Sequence, residues 1–222
     1  MTALRLAHRG DWRRAPENSL AAMAAALANP ACDGLEFDVR HALDGVPIVL
    51  HDPTLARVQG LDVAAADLAA IELEPLGVPT LAAVLEAAGR APFLDIELKE
   101  RPNETCLSVI GSARGSRGGG LERAVVSSFH PDALEVVAER QPGWPRWLNA
   151  IDLEPATIRR AAELGCVGIA ASWRVIRARS AQGVLGARLT LAAYTVRRRS
   201  TFERLSDLGV SAVCAEAAAL DG

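Results

Sequence analysis

The sequence predicts one domain over residues 1–222, built as a TIM (β/α)8-type barrel. Its length of 222 residues suits a single α/β barrel better than two domains. Short apolar runs alternate with helical stretches along the chain, which indicates βα units and a mostly parallel sheet. The strand candidates number about eight, and that number favours a closed barrel over an open sheet.

The first half opens with a strand candidate over 4–8. A helix follows that either Asn18 or Ser19 can cap and that Pro30 ends. A turn at Asp44-Gly45 introduces the third strand. In chain order, the other elements of this half are strands over 34–40, 46–50 and 93–99 and helices over 62–71 and 80–88.

The second half repeats the alternation more faintly. The segment over 111–120 is rich in Gly, Ser and Arg, which predicts a surface loop. The alternative, a phosphate-binding loop, is disfavoured because the segment lacks the Lys and the spacing of a P-loop. The predicted strands cover 124–129, 146–150, 167–172, 189–196 and 212–215, and the helices between them cover 131–140, 156–164, 175–182 and 201–208.

Composition argues against several classes of protein. A net charge of −3 disfavours a nucleic-acid binder, which normally carries a strongly basic face. The first residues have no long apolar stretch or cleavage site, so we expect no secretory signal, and no apolar run is long enough to span a bilayer. The four cysteines are widely scattered and predict buried thiols, with a reducing cytoplasm as the expected location.

Glu36 and Asp38 stand two residues apart on a predicted strand, so their side chains point to the same face. Both faces of a parallel barrel strand are usually buried, and two buried carboxylates repel each other unless a cation lies between them. Carboxylates suit hard ions such as Mg²⁺ or Ca²⁺. The alternative is that the pair faces solvent at the end of its strand.

Glu97 and Lys99 repeat this spacing on another predicted strand. Glu97 can supply a third carboxylate to the same ion, and Lys99 can offer a positive charge to an anionic ligand. Asp95 points the same way one layer deeper, where it is either buried beneath the metal site or, if the strand is shifted, solvated at a strand end.

His8 and His51 each end a predicted strand, and each is followed by a charged residue. The active sites of such barrels lie at the C-terminal ends of the strands. Two histidines there, beside a metal, fit a general acid and a general base. His41 and His130 are weaker candidates, although His130 also ends a predicted strand and can line the pocket.

Several short motifs follow one another along the first hundred residues. They are His8-Arg9-Gly10, Pro16-Glu17-Asn18-Ser19, Glu36-x-Asp38, His51-Asp52 and Glu97-x-Lys99. Their order and spacing resemble the glycerophosphodiester phosphodiesterase family, which usually shows H-R-G, P-E-N-T, E-x-D, a D-G turn, H-D and E-x-K. Every element is present, with Ser19 replacing Thr; a single motif is weak evidence, but the whole set is specific.

The resemblance implies a barrel that binds one divalent cation, Mg²⁺ or Ca²⁺, through Glu36, Asp38 and Glu97. It also implies His8 and His51 as the acid–base pair, Arg9 and Lys99 as phosphate-binding residues, and Asp52 as support for its neighbours. Three carboxylates, one divalent ion and two cationic side chains leave about one positive charge, which suits a singly charged phosphodiester.

The second half departs from the family pattern. Ser128-Phe129 fits the family's S-F, but W-T-V-N becomes Tyr194-Thr195-Val196-Arg197, and the closing T-D-x-P becomes Ala215-Glu216-Ala217-Ala218. These changes lie where the alcohol part of the substrate is expected to bind. The segment after His51-Asp52 is short, so the family's insertion after the third strand is expected to be reduced.

The leading interpretation is hydrolysis of a glycerophosphodiester, a small-molecule substrate, to glycerol 3-phosphate and an alcohol. A second enzyme interpretation keeps the site but uses another phosphodiester, such as a lysophospholipid. A third is a barrel that binds phosphodiesters without turning them over, which the pair His8 and His51 disfavours. The oligomeric state and the choice between a cyclic phosphate and direct attack by water stay open.

Overall fold

Eight parallel strands close into a barrel in the computed structural model, which describes residues 2–222. The barrel closes because the first strand pairs with both the second and the last. A ninth, short strand, β3, pairs antiparallel with β2 outside the barrel. The strands are β1 (Leu4–His8), β2 (Gly34–His41), β3 (Pro47–Val49), β4 (Phe93–Leu98), β5 (Ala124–Ser128), β6 (Arg146–Ala150), β7 (Gly168–Ser172), β8 (Thr190–Val196) and β9 (Ala212–Ala215). The predicted fold class is confirmed.

Helices occupy the connections between the strands. Ser19, Thr80 and Asn103 cap three of them by accepting a hydrogen bond from a backbone N–H in the first turn. The helices are α1 (Leu20–Leu27), α2 (Ala56–Gln59), α3 (Ala70–Leu73), α4 (Leu81–Ala88), α5 (Glu104–Arg114), α6 (Pro131–Arg140), α7 (Pro155–Glu163), α8 (Ala178–Gly186) and α9 (Arg199–Asp207), with 3₁₀ turns at Ala65–Asp67, Glu74–Leu76 and Ala217–Ala219.

Two sequence predictions about helices are wrong. The predicted loop over 111–120 begins too early, because Gly111 still belongs to α5, a helix that the sequence analysis missed. Its glycine and serines disguise a helix whose buried face packs on the barrel, and a Cβ on Gly111 would meet the Trp144 ring at 3.4 Å. The predicted helix over 62–71 is instead a 3₁₀ turn followed by the one-turn helix α3.

The third predicted strand is not a barrel strand. The chain leaves β2, turns at Gly45 in a left-handed conformation (φ 74°), and returns antiparallel as β3. The backbone N–H of Leu50 donates to the carbonyl of Asp38 at 2.9 Å, so the next residue, His51, returns to the mouth of the barrel. A hairpin, and not the end of a barrel strand, therefore carries His51 into position.

The connection from β3 to α4 has a small hydrophobic cluster of its own. Leu55 and Leu73 are fully buried in it, together with Ile48 and Val78. The two ends of the connection lie together, because Ile48 bridges to Thr80 and the N–H of Val49 donates to the carbonyl of Pro79. This connection occupies the position after the third strand where the sequence predicts a reduced insertion.

The barrel interior is apolar at one end and polar at the other. Leu6, Val125 and Trp147 belong to an inner cluster that fills the N-terminal end, where the Phe93 and Trp147 rings stack with centroids 6.0 Å apart. Two residues further along the strands, the inward positions become polar, and Glu36 and Asp95 are direct neighbours in the β2–β4 pairing. Alternate residues of each strand point into the barrel, so the charged side chains form a layer directly above the apolar inner cluster.

Arg114 at the end of α5 is fully buried, and burial lowers its pKa to about 10. Its guanidinium donates to the carbonyls of Gly89 at 2.6 Å and Pro92 at 2.9 Å, and more weakly to three others. We expect Arg114→Met to lower the free energy of unfolding by about 3 kcal/mol, because buried acceptors lose their donor. Urea unfolding against the exposed control Arg117→Met measures this, and equal stability of the two variants would contradict it.

Candidate active site

A cavity of about 230 Å³ opens at the C-terminal ends of the barrel strands. Six of the seven residues predicted for the site line it, and the seventh, Asp38, is fully buried behind them. The six are His8, Arg9, Glu36, His51, Glu97 and Lys99.

Three carboxylates converge at the floor of this cavity. Glu36, Asp38 and Glu97 each offer an oxygen within 4.8 Å of the others, and all three side chains are buried, so they do not face solvent as the alternative had it. Both carboxylate oxygens of Glu36 are buried without a hydrogen-bond partner. Burial, followed by repulsion from Asp38, raises the pKa of Glu36 and of Glu97. This donor set fits a hard divalent cation, which would relieve the repulsion.

Two cationic side chains lie on the acidic cluster. Lys99 Nζ is 2.8 Å from Asp38 Oδ1 and also pairs with Glu97, while Arg9 Nε is 3.0 Å from Asp38 Oδ2. Burial alone would raise the pKa of Asp38, but Lys99 and Arg9 together bring it down to about 2. Asp38 is therefore ionised at neutral pH and anchors both cations beside the cavity.

His51 is oriented by the residue that follows it. Its Nδ1 lies 2.6 Å from Asp52 Oδ1, so the N–H sits on Nδ1 and the lone pair of neutral His51 sits on Nε2. Burial lowers the pKa of His51, although Asp38 and Asp52 act in the opposite direction. Arg40 donates to the His51 carbonyl at 2.8 Å and fixes the backbone.

His8 is oriented in the same way by a distant carboxylate. Its Nδ1 lies 2.6 Å from Glu216 Oε1, and its Nε2 lies 3.8 Å from Glu36 Oε2. Arg197 Nε donates to the other Glu216 oxygen at 2.7 Å. Burial would raise the pKa of Glu216, but His8 and Arg197 lower it to about 2. The two departures from the family pattern, Arg197 and Glu216, thus form one ion pair behind His8.

A chain of ion pairs joins the phosphate-binding candidate Arg9 to His51. Glu17 accepts from Arg9 at 2.9 Å and from Arg57 at 2.7 Å, and Arg57 donates to Asp52 at 2.5 Å. Asp52 in turn holds the ring of His51. Glu17 therefore joins the stretch 9–17 to the stretch 51–57, so that Arg9 and His51 are held in one network of ion pairs.

Asn18 and Gly10, two further motif residues, have structural roles beside the cavity. Asn18 is buried in a left-handed conformation (φ 58°) and donates to Asp38 Oδ2 at 2.8 Å. Gly10 has φ 82°, and a Cβ there would approach the Ala22 backbone to 2.6 Å. The sequence analysis named Glu17 only as a motif residue, Asn18 as a motif residue and possible helix cap, and Glu216 only as a departure from the family pattern. Ser19, and not Asn18, caps α1.

The weaker histidine candidates lie outside the cavity. His41 pairs with Glu100 at 2.8 Å on the extension of β2, and His130 is exposed before α6. Phe129 lines the cavity and packs edge-to-face on Tyr194, with ring centroids 5.6 Å apart. The interpretation that His130 lines the pocket is therefore wrong, and its neighbour Phe129 lines the pocket instead.

Asp95 is buried one layer below Glu97, and one of its oxygens has no hydrogen-bond partner. Burial raises the pKa of Asp95 to about 7, with Ser127 opposing the rise and Glu97 adding to it. The native state then binds more protons than the unfolded state between about pH 4 and pH 7, so metal-free stability falls as pH rises through that window.

We expect Asp95→Asn to keep metal binding and activity, because the amide preserves the shape of the side chain. It should also remove this part of the pH dependence, leaving the metal-free variant roughly 2–4 kcal/mol more stable than the parent at pH 8 and similar at pH 4. Urea unfolding in chelator and metal titration measure both effects. Loss of metal binding would make Asp95 itself a ligand.

Comparison with known proteins places the chain in a family. Residues 8–219 match the model of the glycerophosphoryl diester phosphodiesterase family, a class of barrels that the fold and the acidic site also suggest. The chain therefore belongs to this family. No helix within residues 2–222 is both long and apolar enough to cross a membrane.

Individual relatives agree with this assignment. A glycerophosphodiester phosphodiesterase of Caldanaerobacter subterraneus is 31% identical over 162 residues, which is 64% of this chain and 64% of that protein. One of Bacillus subtilis is 26% identical over 95% of this chain and 82% of its own. The match with the bovine glycerophosphodiester phosphodiesterase 1 spans only 15% of that relative's length.

Solved structures share the fold. An Oleispira antarctica phosphodiesterase in complex with the product sn-glycerol-3-phosphate superposes with a TM-score of 0.82 at 23% identity, covering 96% of this chain and 93% of that one. An Agrobacterium tumefaciens glycerophosphodiester phosphodiesterase superposes with a TM-score of 0.84 at 23% identity, covering 100% and 99%.

Proposed function

We propose that the protein hydrolyses glycerophosphodiesters to glycerol 3-phosphate and an alcohol, with one divalent cation, Mg²⁺ or Ca²⁺, held by Glu36, Asp38 and Glu97. The observation that carries the proposal is the convergence of this acidic cluster and two carboxylate-oriented histidines on one cavity. Family membership and the product named for the Oleispira structure support the choice of substrate.

Arg9 and Lys99 bind the phosphate in this proposal. Both line the cavity and both are anchored by Asp38, so their positive charges are held in place before the substrate arrives. When bound, the cation supplies further positive charge for the phosphate oxygens in the transition state. Arginine and lysine together complement the two non-bridging phosphate oxygens on which negative charge builds in the transition state.

His51 acts as the general base. Its lowered pKa favours the neutral ring, and its Nδ1–H donates to Asp52, which leaves Nε2 to accept a proton. That proton comes from the attacking hydroxyl, which belongs either to water or to the neighbouring glycerol group. The oxygen so activated forms the new bond to phosphorus. Attack by water gives glycerol 3-phosphate directly, whereas attack by the glycerol hydroxyl gives a cyclic phosphate that a water molecule then opens to glycerol 3-phosphate.

His8 acts as the general acid on the other side of the phosphate. The Glu216 carboxylate contacts Nδ1 and orients the ring, and Nε2 gives its proton to the alcohol oxygen as the P–O bond breaks. The proton gained by His51 and the proton lost by His8 balance over one hydrolysis. Both histidines then return to their starting states by exchange with solvent.

A product assay across a panel of glycerophosphodiesters and lysophospholipids tests this function. Release of glycerol 3-phosphate from the glycerophosphodiesters, absent in a His8→Ala/His51→Ala double variant, is the expected result. Turnover of lysophospholipids alone would favour the alternative substrate. Binding of the whole panel without any turnover would favour the non-catalytic barrel.

We also propose that residues 1–222 act as one phosphodiesterase barrel domain in a reducing cytoplasm. Two observations support this. The barrel strands run through the described chain from β1 to β9, and each of the four cysteines is a free thiol.

A further inference from the structure

A second, larger cavity adjoins the candidate active site. It measures about 580 Å³ and lies at the C-terminal ends of β7 and β8 and the start of α9. Tyr194 and Thr195 line both cavities, so the two spaces are neighbours across these side chains. Thr195 Oγ1 is 3.5 Å from His8 Nε2, which places the second cavity on the His8 side of the site.

The lining of this cavity is strongly cationic. Arg174, Arg197 and Arg198 contribute to it, and its lining includes no acidic side chain among residues 2–222. Arg197 pairs with Glu216 through its Nε. Arg174 and Arg198, in contrast, take part in none of the ion pairs found within the described chain. The Arg174 guanidinium stacks over the Trp173 ring, 5.0 Å from its centroid, which limits its motion.

If His8 donates the proton to the departing alcohol, this alcohol leaves toward the cavity beside His8. Two guanidinium groups without counter-ions attract an anion there and repel a cation. Guanidinium forks also match the oxygens of a phosphate. The wall therefore favours an alcohol that is itself phosphorylated over a cationic one such as choline.

We propose that this cavity, called here the arginine pocket (Trp173, Arg174, Tyr194, Thr195, Arg197 and Arg198), binds the leaving alcohol of the substrate and selects alcohols that carry a second phosphate. The proposal rests on the proposed function and names its substrate class. The substrate is then a glycerophosphodiester whose alcohol is a polyol that carries a further phosphate as a monoester or diester, and water converts it to glycerol 3-phosphate and that phosphorylated polyol.

Three substrates separate the possibilities. Glycerophosphoglycerol has a neutral leaving alcohol, bis(glycerophospho)glycerol has one with a second phosphodiester, and glycerophosphocholine has a cationic one. With saturating Mg²⁺, we expect kcat/KM to rise about tenfold from the neutral to the anionic alcohol and to fall for choline. High salt should shrink the differences, because the groups are partly solvated.

Variants show whether the arginine pocket causes this preference. Arg174→Gln/Arg198→Gln should bring the anionic-to-neutral ratio close to one, because kcat/KM on bis(glycerophospho)glycerol should fall about tenfold. Arg199→Gln is the matched control, since Arg199 is the adjacent exposed arginine on α9 and does not line the pocket. Equal rates, a preference for choline, or a preference that survives the double variant would overturn the proposal.

A binding measurement keeps this result distinct from failure of the proposed function. Calorimetric titration of bis(glycerophospho)glycerol into the Mg²⁺-loaded His51→Ala protein should give an affinity about tenfold above that of glycerophosphocholine, lost on adding the two arginine substitutions. If no substrate is turned over, the proposed hydrolytic function is wrong, and this titration alone then tests whether the arginine pocket selects anionic alcohols. Equal affinities, or affinities insensitive to Arg174 and Arg198, would refute the arginine pocket.

Discussion

Removal of divalent ions should abolish turnover, and Mg²⁺, Mn²⁺ or Ca²⁺ should restore it. Without a cation, Glu36, Asp38 and Glu97 converge with two oxygens of Glu36 unpartnered, and the phosphate meets a net negative floor. The measurement is release of glycerol 3-phosphate after dialysis against excess chelator, followed by titration with each ion. Full activity in chelator would remove the metal from the proposal.

Glu36→Gln and Glu97→Gln should each lose the rise in melting temperature that Mg²⁺ gives the parent protein, because ligands that bind the native state stabilise it. Burial raises the pKa of Glu36, so its ionisation destabilises the metal-free native state as pH rises, and Gln removes that cost. Metal-free Glu36→Gln should therefore melt no lower than the parent at pH 8. Glu86→Gln, exposed on α4, is the control; a normal Mg²⁺ response in both site variants would place the ligands elsewhere.

Replacement of either histidine should be nearly as damaging. His8→Ala and His51→Ala should each lower kcat by about 100-fold or more, the usual scale for losing a general acid or base. Both residues lie at the rim of the barrel and not in its apolar floor, so the variants should keep the parent's circular dichroism spectrum and urea midpoint. Near-normal kcat on a substrate with a poor leaving group would exclude that residue from the pair.

The leaving group tells the two histidines apart. A nitrophenyl ester of glycerol phosphate releases nitrophenolate, which leaves phosphorus without being protonated. His8→Ala should therefore recover most of its lost rate on this substrate. His51→Ala should stay impaired, because the attacking hydroxyl still needs a base. Recovery by His51→Ala in place of His8→Ala would exchange the assigned roles.

Strand periodicity predicts most of this fold, because parallel barrel strands are short, apolar and well separated. It fails at β3, whose apolar run looks like a barrel strand although the turn at Gly45 sends it back along β2. It also misses α5, where burial against the barrel outweighs the glycine and serines that hide the helix. Both errors concern packing between elements, which local pattern does not record.

The site divides in the same way. Spacing alone puts Glu36 with Asp38 and Glu97 with Lys99 on common faces, and the structure brings these pairs together. Strand spacing could not predict the partner of His8, because Glu216 lies 208 residues away in sequence and contacts His8 only when the barrel closes. The link from Glu17 to Arg57 likewise joins separate loops. Side chains that share a strand face can be predicted from sequence, because alternate residues of a strand point the same way. The contacts that support them form only when the barrel closes, so the sequence does not predict them.

The pinched base of the connection between β3 and α4 has an evolutionary consequence. Because Ile48 meets Thr80 and Val49 meets Pro79, the chain leaves and re-enters the barrel at one point. The exposed positions 60–62 within this connection can therefore accept extra residues, and each doubling of such a loop costs only about 0.6 kcal/mol in closure entropy. Descendants of this sequence can change the length of this connection while His51 keeps its place in the cavity.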